Sequence, residues 1–429
     1  MMSARQGVRI MTDKGKTILI LGNGFDLAHG LPTKYSHFLD FCQRVERIWS
    51  YGTSNDKQTI AKFKMTWIDN WETDATIKDT IVNEFCNRKM NYVGEYEVTS
   101  DNPELSEIHT LLDDNIWYEY FTELYRKNAM KGENWIDFES EIRFIIKMVD
   151  ENSLSITDSW DDVIKEAIGS PEQPKLRIFK GKLKFDKYAQ KKKWVSGHEA
   201  TVRDFREKAF EDLEQLTRVL ELYLAAFVEK IPISNSEKIP QLLNLTPDYV
   251  INFNYTDTYE RIYKKGKVYH IHGKADMARS AEENNMVLGI DEYWTGDERD
   301  EKTDFTIFKK FSQRIQKHTG NESYKYLKEM QKAFETRGKN WSGNVDTSKI
   351  HPDGVSYVYV FGHSLDVTDK DILSRFIGDD STSVIVYCRD KGTEGELIAN
   401  TIKLIREEKL LDKSNHVPTK LDFVIQKGK

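Results

Sequence analysis

The sequence predicts an α/β protein: an open, mostly parallel sheet of the Rossmann type, interrupted by a large, mainly helical insertion. Three observations carry this. The short apolar run Thr17-Ile18-Leu19-Ile20-Leu21 leads straight into glycines, the pattern of a strand buried on both faces. Comparable runs return only from Tyr249 onward. The stretch between them is rich in aromatic and charged residues at helical spacing, as amphipathic helices require.

In chain order, residues 17–50 form a first strand, glycine loop and helix. The helix runs from Tyr35 to Trp49, with Phe38, Phe41, Cys42, Val45 and Trp49 on one side. Residues 51–245 form the helical insertion. Within it Trp135, Phe138, Ile142, Ile145 and Val149 mark one helix, with Arg143 and Lys147 turned away, and Phe210, Leu213, Leu216, Leu220 and Leu224 mark another. Leu176 to Lys187 alternates apolar and basic residues, which predicts an exposed hairpin. With the lysines at 180, 182, 184, 187 and 191–193, the whole of Leu176–Lys193 reads as a mobile basic flap, either a solvated surface or a site for an anionic partner. Residues 246–429 complete the sheet, with strands at Tyr249–Asn252, Val268–Ile271, Val355–Phe361, Ser383–Tyr387 and Leu421–Ile425. A second charged helical insert falls near 295–349. Helix-like stretches between the strands place helices on both sheet faces.

The 429 residues allow two or three domains, or one with insertions. With 39% hydrophobic and 31% charged residues the chain reads as soluble. Its net charge of −7 gives no general reason to bind nucleic acid or an anionic membrane. Cys42, Cys86 and Cys388 are widely separated and odd in number, which argues against a disulfide framework or zinc ribbon and for a reducing, cytoplasmic location. No apolar run reaches the roughly 20 residues that span a bilayer, and Ile18–Leu21 is too short for a signal peptide. Met1 to Lys16 is polar and reads as a frayed end, with Met11 an alternative start.

Four segments carry chemistry. Gly22-Asn23-Gly24 after the first strand allows a phosphate to approach the backbone, but Leu27 replaces the third glycine of the dinucleotide fingerprint. A tight turn without ligand is the other reading. Asp26, which a phosphate would repel, either caps the next helix or meets a ribose hydroxyl. Asn254, in Asn252-Phe253-Asn254-Tyr255-Thr256, lies past the end of a strand and suits a ribose hydroxyl or a water, or a helix cap. His270 and His272 fall on one strand face by alternation. They lack a third well-spaced metal ligand, so no metal is expected. A general base is the better functional reading, against an imidazole bonded to backbone. Phe361-Gly362-His363-Ser364-Leu365-Asp366 ends a later strand and suits the adenosine half of a dinucleotide, or a simple turn.

The order of these segments resembles the sirtuin superfamily: Gly22–Asp26 with Gly30-Leu31-Pro32, then Val250–Glu260, His272-Gly273 and Gly362-His363-Ser364. A narrower resemblance is to the AbiH family of phage abortive-infection proteins. It is carried by Leu21–Thr33, Phe253–Thr256, His270–Gly273 and Phe361–Asp366, with Trp135-Ile136-Asp137-Phe138-Glu139 a further matching segment. The resemblance implies a sirtuin-like domain that binds NAD as substrate and cleaves it to nicotinamide and ADP-ribose in infected bacteria. It implies Asn254 and His272 as catalytic residues, and Gly22, Asn23, Gly24, Phe25, Asp26, Thr256, Gly362 and Ser364 as nucleotide-binding. Asp26 stands where sirtuins usually have Ser and Thr256 where they have Asp. The zinc cysteines of protein deacetylases are missing. Expected partners are NAD or a related nucleotide, and a second copy of the chain or a phage-derived trigger. The alternatives are a nucleotide sensor without turnover and a hydrolase of another nucleotide.

Overall fold

The computed structural model of the chain describes residues 16–50, 57–87, 102–133, 135–169, 173–234, 238–320, 325, 328 and 356–426. Among these, six strands form one all-parallel sheet in the order β3-β2-β1-β4-β5-β6. They are β1 (Thr17–Leu21), β2 (Tyr249–Asn252), β3 (Lys267–His270), β4 (Ser356–Phe361), β5 (Thr382–Cys388) and β6 (Leu421–Ile425). β1 is central, and Ile18 to Leu21 are fully buried. Ile18 and Ile20 pack with Val358, Val360 and the helices Lys370–Ile377 and Lys391–Ile405. Leu19 and Leu21 face the other way, toward Phe25, Tyr259 and Tyr263. Both faces of β1 are thus covered, which is why it reads as an unbroken apolar run.

Strand order reverses between β1 and β4, the place where open α/β sheets collect ligands beyond their carboxyl ends. Register sharpens this. Leu21 pairs with Asn252 and Phe361, and Asn252 pairs with His270. The residues just past these four positions therefore emerge at one edge.

Between β1 and β2 every regular element among the described residues is helical. The first, α1 (Asn23–Ala28), opens within the glycine loop itself. Next, α2 (Tyr35–Ser50) buries Phe38, Phe41, Cys42 and Val45. Further on, α3 (Phe138–Glu151) buries Phe138, Ile142, Ile145 and Val149, with Arg143 and Lys147 paired to Asp291 and Glu151. Trp135 falls outside α3, because Asp137 caps the helix by accepting from the backbone N–H groups of Glu139 and Ser140. Finally, α4 (Val202–Leu222) starts at a Thr201–Asp204 capping box and continues as a wider turn over Tyr223–Phe227. Phe138 stacks on Tyr35 and on Phe121, at centroid distances of 4.2 and 4.1 Å, so α2 and α3 meet through rings.

The basic flap is not a hairpin. Pro174–Lys182 and Phe185–Lys192 are helices. Leu176 and Phe179, three residues apart, are fully buried, and that helical spacing outweighs the accidental alternation. Lys184 and Lys187 pair with Asp114, Lys184 with Glu119, Lys180 with Asp161 and Lys192 with Glu211. Acidic neighbours thus answer much of the run's charge.

Of the insert expected at 295–349, the stretch 295–320 includes the helices Glu298–Glu301 and α5 (Lys310–Gln316). The rest, apart from 325 and 328, lies outside the described residues, as do positions 1–15. Among the described residues no helix is long and apolar enough to cross a membrane.

Candidate active site

A cavity of about 530 Å³ opens at the β1/β4 edge, within the roughly 300–1,000 Å³ usual for small-molecule sites. Its floor comes from the ends of the strands: Gly22–Gly24 after β1, Phe253–Thr256 after β2, His272 after β3 and Gly362–Ser364 after β4. The opposite wall comes from the insertion, through Tyr35 of α2, Trp135 to Asp137, Glu139 and Ser140, and Leu220 and Leu224.

His272 is the centre of the polar network. It is buried, and its Nε2 lies 2.9 Å from Asp369 Oδ1. Burial opposes charge on Asp369, but Lys310 and His272 outweigh it and hold this carboxyl well below the usual range. An ionised Asp369 can only accept, so Nε2–H donates and Nδ1 carries the lone pair. Nδ1 is buried and has no hydrogen-bond partner. Burial also pushes the His272 pKa down, more than Asp369 pulls it up. The ring is a neutral base with a fixed tautomer.

Lys310, on α5, donates to Asp369 Oδ1 at 2.9 Å and pairs with Glu139 Oε2 at 2.7 Å. Burial works against its charge, but the two carboxylates outweigh burial and hold it above the ordinary lysine range. Burial pushes Glu139 upward. The chain Glu139–Lys310–Asp369–His272 thus ties α3 of the insertion to the base. His363 stands beside it, with Nε2 3.6 Å from Asp369 Oδ2 and Nδ1 accepting from the Leu365 N–H at 2.9 Å. Burial lowers its pKa to about 4, so it stays neutral. Leu365 holds a left-handed φ of 56° to make that turn, local strain of the kind that gathers at functional sites.

On the β1–β2 side, Asp26 neither caps a helix nor faces solvent. Its Oδ2 accepts from Thr256 Oγ1 at 2.6 Å, and Oδ1 has no partner. Thr258 lies close behind, donating to Thr256 at 3.1 Å. Burial pushes the Asp26 pKa up to about 6 against the help of these hydroxyls. Asn254 donates from Nδ2 to the Gly22 carbonyl at 3.1 Å, which leaves Oδ1 as the group it offers a ligand.

The glycine loop departs from a simple phosphate cradle. Gly22 N–H donates to Phe361 O at 3.1 Å and Gly24 N–H to Gly362 O at 2.8 Å. The Asn23 side chain is engaged at both ends by Thr33. The glycines are needed because two loops cross here. A Cβ on Gly24 would lie 2.8 Å from Gly362 Cα, and one on Gly362, whose φ is +69°, would lie 2.3 Å from Phe25 N. Phe25 itself packs into the core between His29, Tyr259 and Tyr263 and does not line the cavity, because α1 turns it inward. Thr256, Gly362 and Ser364 do line it.

His270 and His272 part company. β3 ends at His270, which bonds Asn254 O at 2.9 Å and Glu260 Oε1 at 2.8 Å, whereas His272 lies in the following turn. Among the described residues no group of three His, Cys, Asp or Glu side chains is arranged to hold a metal.

The sequence model described as bacteriophage abortive infection AbiH matches residues 18–387, from β1 into β5. The chain belongs to the AbiH family. That membership points to a role in abortive infection by bacteriophage. No curated protein and no solved structure gives a significant match.

In this AbiH chain, Asn254, His272, Asp26 and Thr256, all singled out in the sequence, line one cavity together with Asp369, Lys310 and Glu139, which were not. Glu139 lay inside the Trp135–Glu139 segment already noted, and Asp369 follows the Phe361–Asp366 motif by three residues. Lys310 gave no signal.

The burial of Asp26 has a measurable cost. A carboxyl whose folded pKa is raised stabilises nothing when ionised: its penalty is absent below about pH 4 and complete above about pH 6, about 3 kcal/mol there. Asp26→Asn is therefore expected to stabilise the AbiH fold by about 1–3 kcal/mol near pH 8 and hardly at all near pH 4, as urea unfolding at the two pH values would read.

Proposed function

We propose that this cavity hydrolyses the bond between nicotinamide and ribose in NAD, and that loss of NAD is how the protein aborts phage infection. The observation that carries the reading is the free, buried Nδ1 of His272, with its Nε2–H held by Asp369, in one cavity with the unpartnered Oδ1 of Asp26. Cleavage of an N-ribosyl bond passes through an oxocarbenium-like state and asks for a base on one side and negative charge beside the ribose. His272 Nδ1 takes a proton from the attacking water, whose oxygen bonds the ribose C1′. The C1′–N bond breaks and its electron pair leaves with nicotinamide, which departs neutral. Asn254 Oδ1 orients the water or a ribose hydroxyl, and Asp26 receives the ribose. The switch-point position of the cavity supports a nucleotide ligand.

Purified protein is incubated with NAD, alone and with extract of phage-infected cells, and free nicotinamide is followed by chromatography. Release by wild type and none by His272→Ala is the expected result. If NAD stays intact under both conditions yet binds, the sensor reading replaces this one.

A further inference from the structure

The charge around the cavity disagrees with a site built to grip phosphates. Five carboxylates line it, from Asp26, Asp137, Glu139, Asp366 and Asp369. Against them stand two lysines and no arginine. Lys310 is already paired with Glu139 and Asp369, and Lys34 is exposed at the rim. The glycine loop, the other source of phosphate donors, has its Gly22 and Gly24 N–H groups committed to the β4 loop. Meanwhile Asp26, 1% exposed, lines this space and keeps one buried carboxylate oxygen, Oδ1, without a hydrogen-bond partner.

Building on the hydrolytic reading above, we propose that the cavity selects its substrate by the positive charge of the leaving base and not by the phosphates, so that its substrate class is the N-ribosyl pyridinium cation, phosphorylated or not. A pyridinium ring placed beside the buried carboxylates of Asp26 and Asp369 is attracted far more strongly than it would be in water. The same field favours the oxocarbenium-like transition state, in which positive charge moves onto the ribose. Phosphates then lie outward, toward Lys34, where solvent and salt weaken their contribution. The base is read by charge, and the phosphates are largely ignored.

Three probes separate the possibilities: NAD, nicotinamide riboside, and the reduced riboside, whose dihydronicotinamide ring is neutral. Calorimetry on the His272→Ala protein reads affinity without turnover, and nicotinamide release by wild type reads kcat/KM. Nicotinamide riboside is expected to match NAD within about tenfold in both readouts, and the reduced riboside to bind at least about tenfold more weakly. Asp26→Asn, which keeps the side-chain shape, is expected to shrink that preference for the cation about tenfold. NAD cleaved but the riboside more than about 100-fold worse means that phosphates are read, and overturns the proposal while leaving NAD hydrolysis standing. Equal binding of the oxidised and reduced ribosides overturns it too. If NAD is neither bound nor cleaved, the hydrolytic reading itself falls and takes this one with it.

Discussion

Asp369→Asn is expected to reduce NAD hydrolysis by about 10³–10⁴-fold in a protein that still folds. The carboxylate does not touch substrate in this arrangement. It holds Nε2–H of His272, and so keeps the lone pair on Nδ1. An asparagine amide can present its N–H₂ instead, which favours the opposite tautomer and leaves Nδ1 protonated. Lys310 keeps its bond to Glu139 in this variant, so the wall of the cavity survives. His272→Ala should cost about 10²–10⁴-fold by itself, the usual worth of a general base. The double variant should be hardly worse than either single, since both serve one transition state. Asn254→Ala should also abolish turnover, with an added loosening of the glycine loop, because Asn254 ties the Gly22 carbonyl. Nicotinamide release, with thermal melting as the folding control, separates these effects. Full activity in Asp369→Asn would show that the tautomer is set elsewhere.

Lys310→Met is expected to destabilise the fold by about 3–5 kcal/mol at neutral to alkaline pH, because it strands the buried Asp369 and half-buried Glu139 carboxyls without their cation. The loss should depend on pH in a definite direction. Without Lys310, which lowers both, the folded pKa values of Glu139 and Asp369 rise. Their penalty is then absent below about pH 4 and grows as pH rises, since the folded state binds the extra protons. Urea unfolding of wild type and variant near pH 5 and pH 8 should therefore give a smaller difference at the lower pH. The Asp26 effect is common to both proteins and cancels. Equal losses at the two pH values would mean that Lys310 contributes packing alone.

The six strands were legible to within a residue or so; the central β1 and β2, buried along nearly their whole length, leave apolar runs that few other elements do. The site was legible only where it lies at the ends of those strands, as with Asn254 and His272. The rest of the network is assembled over long separations: Asp369 is 97 positions from His272 and 59 from Lys310. Lys310 sits on a seven-residue helix in a charged segment, where a lysine reads as a solvated surface group. Only the fold turns it inward. The glycines of Gly22-Asn23-Gly24 were legible as necessary, but the reason differs. Their small size lets the β1 and β4 loops cross, and that crossing uses backbone donors a phosphate would need. The flap misled for a local reason: with so many lysines between Leu176 and Lys187, alternation arises by composition, while the buried pair Leu176 and Phe179 follows the helix.

The most direct test is intracellular NAD in bacteria challenged with phage, compared between cells carrying wild-type protein and cells carrying His272→Ala at equal soluble expression. If His272 is the base of an NAD-cleaving site, NAD collapses in the wild-type cells soon after infection and holds steady in the variant, which also loses protection. Protection by wild type with NAD unchanged would contradict NAD cleavage as the mode of defence, and collapse in both strains would contradict the assignment of His272.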